Sequence, residues 1–286
     1  MNKKIKNNKT ILITGCSRGI GYATVELLAS KGYLIYAGVR SLYRSAKLKA
    51  LAKIYPNIKI RKINLKETNS IKKIVMEFKT NKIKLDIIIN NAGTIIFGPV
   101  ESVSPQQLYD QFQVNLFGPI LLTQEFLPMM RKQNAGHIIF LGSTSGVESH
   151  GMYGAYAASK FALEAICHSL AVNLHRWNIK VSIIELSATA TLIAKNAIQI
   201  GSRLDKNTNP YLKYTSNTLA FLQELLINGE LPTKIAKKIF DVIHSPKSML
   251  RHFATKKAQN IFKHSVRDYF GTRWKEEAKE ADYLFK

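Results

Sequence analysis

Tyr156 and Lys160, in Tyr156-Ala157-Ala158-Ser159-Lys160, are the pair in this 286-residue chain best placed to move a proton. A tyrosine hydroxyl, with a reference pKa near ~10, is a poor base at neutral pH. At i, i+4 spacing on a helix the two side chains share a face, and a nearby ammonium favours the phenolate. The pair could therefore give a proton to a developing alkoxide or take one from an alcohol. Ser143, thirteen residues before Tyr156, carries a hydroxyl that can hold a substrate oxygen beside it. Tyr153 lacks this help, because its i+4 neighbour is Ala157.

A second candidate lies near the start. Thr14-Gly15-Cys16-Ser17-Arg18-Gly19-Ile20-Gly21 follows a short apolar strand and opens a helix. Glycines at 15, 19 and 21 let the chain turn sharply and bring backbone N–H groups close to a phosphate at the helix N-terminus. No Gly-Lys-Ser/Thr tail follows, so this is not a nucleoside-triphosphate P-loop. NAD-binding folds place an acid about 20 residues on, to hold the ribose 2′-hydroxyl. Here the second strand ends Ala37-Gly38-Val39-Arg40, and residues 27–66 contain no acid at all. Arg40 could instead pair with a 2′-phosphate, since guanidinium presents paired donors in a fixed fork. NADP(H) is therefore the expected coenzyme, with NAD(H) as the alternative.

These groups need a scaffold, and the apolar pattern supplies one. Strands are expected at 11–14, 33–38, 58–64, 85–90, 136–141 and 180–186. Helices are expected at 20–30, 46–55, 69–78, 106–132 and 153–177. Strands separated by helices pair in parallel through right-handed crossovers, and both faces of such a sheet are covered. The expectation is a three-layer α/β/α, Rossmann-type doubly wound sheet forming one domain over 1–286. A basic tail (1–9) precedes it, and a C-terminal tail (265–286) ends it. Residues 187–230 read as a substrate loop, with 216–227 amphipathic and placed as a helical lid over the carboxyl ends of the strands.

Composition narrows the classes. The chain has 42 Lys+Arg against 19 Asp+Glu, a net charge of +23. Of the basic residues 32 are Lys and 10 are Arg, spread along the whole chain, whereas nucleic-acid recognition favours Arg. Specific nucleic-acid binding is not expected. No apolar run approaches the ~18 residues of a membrane span. Lys3, Lys4, Lys6 and Lys9 imitate the start of a signal peptide, but a strand and a glycine loop follow, so the expected location is cytoplasmic. Cys16 and Cys167 lie far apart with no metal-ligand spacing, so neither a disulfide framework nor a metal site is expected.

Taken in order, the motifs resemble the classical short-chain dehydrogenase/reductase family over residues 10–191. The resemblance rests on the glycine loop, Asn90-Asn91-Ala92-Gly93, Asn115 within the long helix, Ser143, and the Tyr156/Lys160 pair. It implies that Asn91, Ala92 and Gly93 shape the adenine side of the pocket. Lys160 would also bind the nicotinamide ribose, and Asn115 would hold a water joining Lys160 to solvent. Thr191 would meet the nicotinamide amide, and Arg18 resembles the basic residue of NADP-dependent relatives. Ser145, eleven residues from Tyr156, breaks the family spacing and is set aside. His150 and His168 read as surface residues, and Glu185 as a structural acid at a strand end. Two departures stand out: Asn64-Leu65, still expected to bind the cofactor with the Asn64 side-chain oxygen accepting from the adenine amine, replaces the usual acid at the end of the third strand, and Leu186-Ser187 replaces Pro-Gly after the sixth. Residues 247–252 are weakly similar to the 17β-hydroxysteroid/retinol dehydrogenase branch. The implied activity is interconversion of a secondary alcohol and a carbonyl, in a homodimer or homotetramer. Leu192, Ile193, Ile198 and Ile200 favour a lipophilic, steroid- or retinoid-like small molecule. The alternatives are a dinucleotide-binding regulatory scaffold with little turnover, and a basic adaptor for nucleic acid or acidic membrane.

Overall fold

Apolar runs and amphipathic stretches alternate as strands and crossover helices in the computed structural model, which describes residues 9–190, 198–204, 208–246, 249–268, 275 and 279. The first half runs β1 (Thr10–Ile13), α1 (Gly19–Ser30), β2 (Leu34–Val39), α2 (Ala46–Ile54), β3 (Ile58–Lys62), α3 (Thr68–Thr80) and β4 (Ile87–Asn90). Then come β5 (Ile95–Phe97), α4 (Pro105–Phe112), α5 (Gly118–Gln133), β6 (Gly136–Leu141), α6 (Gly154–Leu174) and β7 (Ile179–Glu185). The remainder holds β8 (Ile198–Ile200), α7 (Leu212–Ile227), α8 (Pro232–His244), β9 (Arg251–Phe253) and α9 (Lys256–Arg267). The main sheet is parallel throughout, in the order β3-β2-β1-β4-β6-β7-β9.

Side-chain alternation explains why its central strands are apolar on both faces. Ile11, Ile13, Ile87, Ile89 and Ile139 point to one side and pack with Val25 and Leu28 of α1 and Ile235 and Ile239 of α8. Leu12, Ile88, Ile138 and Phe140 point to the other, against Phe78, Phe126 and Leu163. Tyr36, Phe78 and Phe126 form an aromatic run with ring centroids 4.5 and 5.2 Å apart. Among the described residues, no helix is long and apolar enough to cross a membrane.

Three expectations change in detail. The third strand ends at Lys62, which frees Asn64 and Leu65 for a loop over the sheet end. The long helix is not uniform: it widens into a π turn over Gln113–Phe117 between α4 and α5. Pro119 has no N–H to give the carbonyl of Asn115 four residues earlier, and the widened turn sits there. The segment after β7, read as poor in strand signals, contributes β8, which pairs with β5 in a separate two-stranded parallel sheet.

One buried group makes the fold acid-sensitive. His137, on β6, bonds Ser182 through Nε2 at 2.9 Å. Burial, then the nearby positive groups Lys180, His252 and Lys9, push its pKa down from 6.5 to about 3. The unfolded chain takes up this proton near pH 6.5 and the folded one only near 3, so the stability from a neutral His137 is complete above pH 6.5 and is lost as pH falls towards 3. His137→Gln is expected to flatten the loss of stability in that window by on the order of 2 kcal/mol. Denaturant titrations at several pH values check it; identical pH slopes in both proteins would contradict it.

Candidate functional site

The site is built where β1, β2, β4 and β6 end. Gly15 and Gly19 take φ values of 74° and 59°, a left-handed conformation that glycine adopts without strain. A Cβ on Gly15 would stand 2.9 Å from Asn91 Nδ2 and Ala92 Cα, so the glycine loop and the turn after β4 touch directly. Thr14 ties them together. Its Oγ1 accepts from the amides of Asn91 and Ala92, both at 3.1 Å, and Asn91 Nδ2 donates to its carbonyl at 2.7 Å. No side chain caps the N-terminus of α1, and no acid lies in its first turn. Its open N–H groups and dipole favour an anion.

A cavity of about 350 Å³ runs from this loop to the other candidate group. Its walls include Gly15, Ser17, Arg18, Gly19, Ile20 and Gly21, then Arg40, Asn64 and Leu65, then Asn91, Ala92 and Gly93, with Tyr156 and Lys160 also in the lining. Asn64 is folded into its own turn: Nδ2 donates to Glu67 at 2.6 Å and Oδ1 accepts from the Lys66 amide at 3.2 Å. Residues that the sequence reading missed share the wall, including Gly142, Leu186 and Gln199. Gln199 belongs to β8, which Gln107 staples to α4 by donating to the Ile200 carbonyl at 2.7 Å. The Ile198-Gln199-Ile200 alternation was the available signal. Beside Arg18, a groove of about 440 Å³ adds Arg44 and Lys47, with Tyr22 and Tyr43.

At the far end α6 presents Tyr156 and Lys160 on one face. Lys160 is buried; its Nζ donates to the Leu141 carbonyl at 2.8 Å and lies 5.8 Å from the Tyr156 ring centroid. Burial lowers its pKa to about 8, against the acids Glu185 and Glu164 and the Cys167 thiol, which raise it. The sequence reading expects the ammonium to lower the tyrosine pKa. The balance runs the other way, because burial raises the Tyr156 hydroxyl more than a hydrogen bond with Ser143 lowers it. The phenol thus holds its proton at neutral pH. Ser143 Oγ also accepts from the Ser145 amide at 3.1 Å.

Asn115 lies in the π turn, outside the cavity lining. Its Oδ1 accepts from the Thr94 amide at 2.9 Å, while Nδ2 donates to the Thr94 carbonyl at 3.0 Å and to Ser159 Oγ at 3.2 Å. Ser159 in turn donates to the Tyr156 carbonyl at 2.6 Å, so Asn115 is joined to the helix carrying the pair. Tyr153 packs edge-to-face on Phe97, beside Met152, Leu222 and Leu226. His150 and His168 are exposed, as expected. Thr191, Leu192, Ile193, Lys247 and Ser248 lie outside the described residues.

A family model for the short chain dehydrogenase matches residues 9–199. Human 17-beta-hydroxysteroid dehydrogenase type 1 is 27% identical over 276 residues, covering 92% of this chain and 83% of that protein. Bovine retinol dehydrogenase 8 is 29% identical over 258 residues, covering 85% and 80%. The crystal structure of a short-chain dehydrogenase from Streptomyces avermitilis superposes with a TM-score of 0.82 at 25% identity, covering 96% of this chain and 98% of that one. Solved structures of the same fold hold NAD or NADP. The glycine loop, the Tyr156/Lys160 pair and the doubly wound sheet thus meet in one chain, which belongs to the short-chain dehydrogenase family of oxidoreductases.

Proposed function

We propose that this protein is an NADP(H)-preferring oxidoreductase interconverting a secondary alcohol and a carbonyl on a lipophilic small molecule. The observation that carries the reading is the convergence of Tyr156 and Lys160, with Ser143 bonded to the tyrosine, at the end of the cavity that begins at the glycine loop. The residues present fit a nicotinamide dinucleotide. The uncapped start of α1 suits a pyrophosphate, Asn91, Ala92 and Gly93 flank it, and Arg18 and Arg40 line the cavity where a 2′-phosphate would be met. Arg44 and Lys47 stand in the adjoining groove and add positive charge on that side. When bound, the coenzyme supplies or accepts the hydride.

The protein's own groups handle the proton. Tyr156 holds its hydrogen at neutral pH, which suits delivery to a developing alkoxide during carbonyl reduction. Ser143 steadies the substrate oxygen, and Lys160 stabilises the phenolate left behind. The Asn115 side chain is committed to Thr94 and Ser159, so a relay water would be held by its carbonyl, which Pro119 leaves without the usual helical donor. Residues 187–230 act as the substrate loop of one continuous domain, and α7 acts as the lid. Leu222 and Leu226 pack with Phe97 and Met152 beside Tyr153, whose ring centroid is 6.3 Å from that of Tyr156. An apolar wall so close to the reacting hydroxyl favours a hydrophobic substrate. Phe161 and Val172 leave apolar surface on α6, which supports association of copies through the long helices. Two free, buried cysteines accord with a reducing compartment such as the cytoplasm.

Tyr156→Phe is expected to cut turnover by ~10²–10⁴ while coenzyme binding persists. Wild-type turnover in that variant on a verified carbonyl would end the assignment. NADPH is expected to bind at least ~10-fold tighter than NADH, with Arg40→Ala eroding the gap mainly through NADPH. Titration of both coenzymes against both proteins decides it, and equal wild-type affinities would refute it. Polar replacement of Leu222 together with Leu225 is expected to raise KM for lipophilic carbonyls and spare coenzyme binding. A lower melting temperature with unchanged kinetics would mean that α7 only packs.

A further inference from the structure

Beneath Lys160 lies a second set of ionisable groups that the proposed chemistry does not use. Glu185 ends β7 and is fully buried. Its carboxyl lies under the backbone of Gly142, where even a methyl group would collide with Oε2. Glu164 stands one turn after Lys160 on α6, so the two side chains share a face of the helix. Arg251, on β9, donates to Glu164 Oε2 through Nε at 3.2 Å and through a terminal nitrogen, but its Nε stays 3.9 Å from Glu185 Oε1.

The bonding leaves a pattern. Glu164 Oε1 and both oxygens of Glu185 are buried with no hydrogen-bond donor. The two carboxyl groups lie within hydrogen-bonding reach of each other. Two carboxylates in contact repel, and neither oxygen can donate, so both cannot be ionised at low cost. One proton resolves the conflict. Placed on Glu185, it turns that group into a donor towards Glu164 Oε1, while Glu164 keeps its charge for Arg251.

We propose that Glu185 is a protonated carboxylic acid at neutral pH, hydrogen-bonded to Glu164, and that it is a positioning residue which leaves the charge of Lys160 undivided for Tyr156. The proposal rests on the reading of Tyr156 and Lys160 given above. The groups facing Glu185 are Lys160, Glu164, Cys167 and Tyr156 from α6 and Arg251 from β9. Burial, then the hydrogen bond and charge of Glu164, push its pKa up to about 10, against Arg251 and Lys160. An ionised Glu185 would neutralise Lys160 and raise the Tyr156 phenol further; a neutral one does neither. This gives a buried acid beside the catalytic lysine a use other than stability.

Infrared spectra of the coenzyme-free protein, with and without ¹³C-labelled glutamate, test the proton without any turnover. At pH 7 the wild type should show a protonated-carboxyl C=O band that moves with the label and disappears in Glu185→Gln. No such band, or one that survives in Glu185→Gln, overturns the proposal. The positioning role is read from the titration of the Lys160 ammonium, followed by NMR of ¹³C-labelled lysine and assigned by its loss in Lys160→Met, because Lys160 titrates at about 8, below the range in which Glu185 ionises. Glu185→Gln should move the Lys160 midpoint by less than about half a pH unit, because a neutral acid and a neutral amide act on the ammonium alike. A midpoint that falls by about one pH unit or more in Glu185→Gln means that Glu185 is ionised beside Lys160 and overturns the role. Absence of turnover on every carbonyl would defeat the proposed activity and leave both spectroscopic answers standing.

Discussion

A cation held charged inside the protein is the constraint on which the site depends. Burial works against the ammonium of Lys160, and a hydrogen bond to the Leu141 carbonyl keeps it oriented at the sheet end. Around it the fold supplies compensation from three directions. The strand β6 gives a carbonyl, α6 brings the Glu164 carboxylate, and β9 returns an arginine that answers it. The late strand β9 is short and lies at the sheet edge. Its position beside β7 brings Arg251 across to α6, so the end of the sheet farthest from the glycine loop helps to set the charge at the reacting end.

The glycine loop and the tyrosine helix meet the same cavity although their sequences are separated by some 140 residues. Parallel pairing makes this meeting unavoidable. Each strand delivers its carboxyl end to one edge of the sheet, and every βα turn therefore opens there. Thr14 and Asn91 show the principle at atomic scale: one hydroxyl and one amide join the turns after β1 and β4, and the floor of the cleft becomes a bonded unit.

Much of this was legible in the chain. Continuous apolar runs such as Ile87-Ile88-Ile89 identify strands covered on both faces, and the glycine spacing and the Tyr156/Lys160 pair identify the two ends of the cleft. What escaped the reading has physical reasons. β5, β8 and β9 are three residues each, too short for periodicity to declare them, and their partners are distant in sequence. The tyrosine's ionisation was read from its charged neighbour alone. Burial, which raises the hydroxyl more than the Ser143 hydrogen bond lowers it, comes from the assembled fold, and no local spacing reports that. Glu185 shows the same limit: a strand-end acid in sequence becomes a group under Gly142 and next to Lys160 only once the sheet is assembled.

The π turn between α4 and α5 sets a rotational phase. Each residue of an α-helix advances by about 100°, so the turn fixes which face of α4 meets β5 while α5 covers β4 and β6. With the turn in place, Gln111 faces β5 and holds both the Ile96 amide and the Thr94 carbonyl, while Thr123 on α5 faces Asn90 of β4. Losing a single residue there would turn Gln107 and Gln111 away from β5 and β8 without disturbing α5. The small sheet that walls the substrate side would then lose its clamp, although no residue of that wall had changed. Chain length in this one turn is thus a determinant of pocket shape, inherited by count and not by side-chain identity.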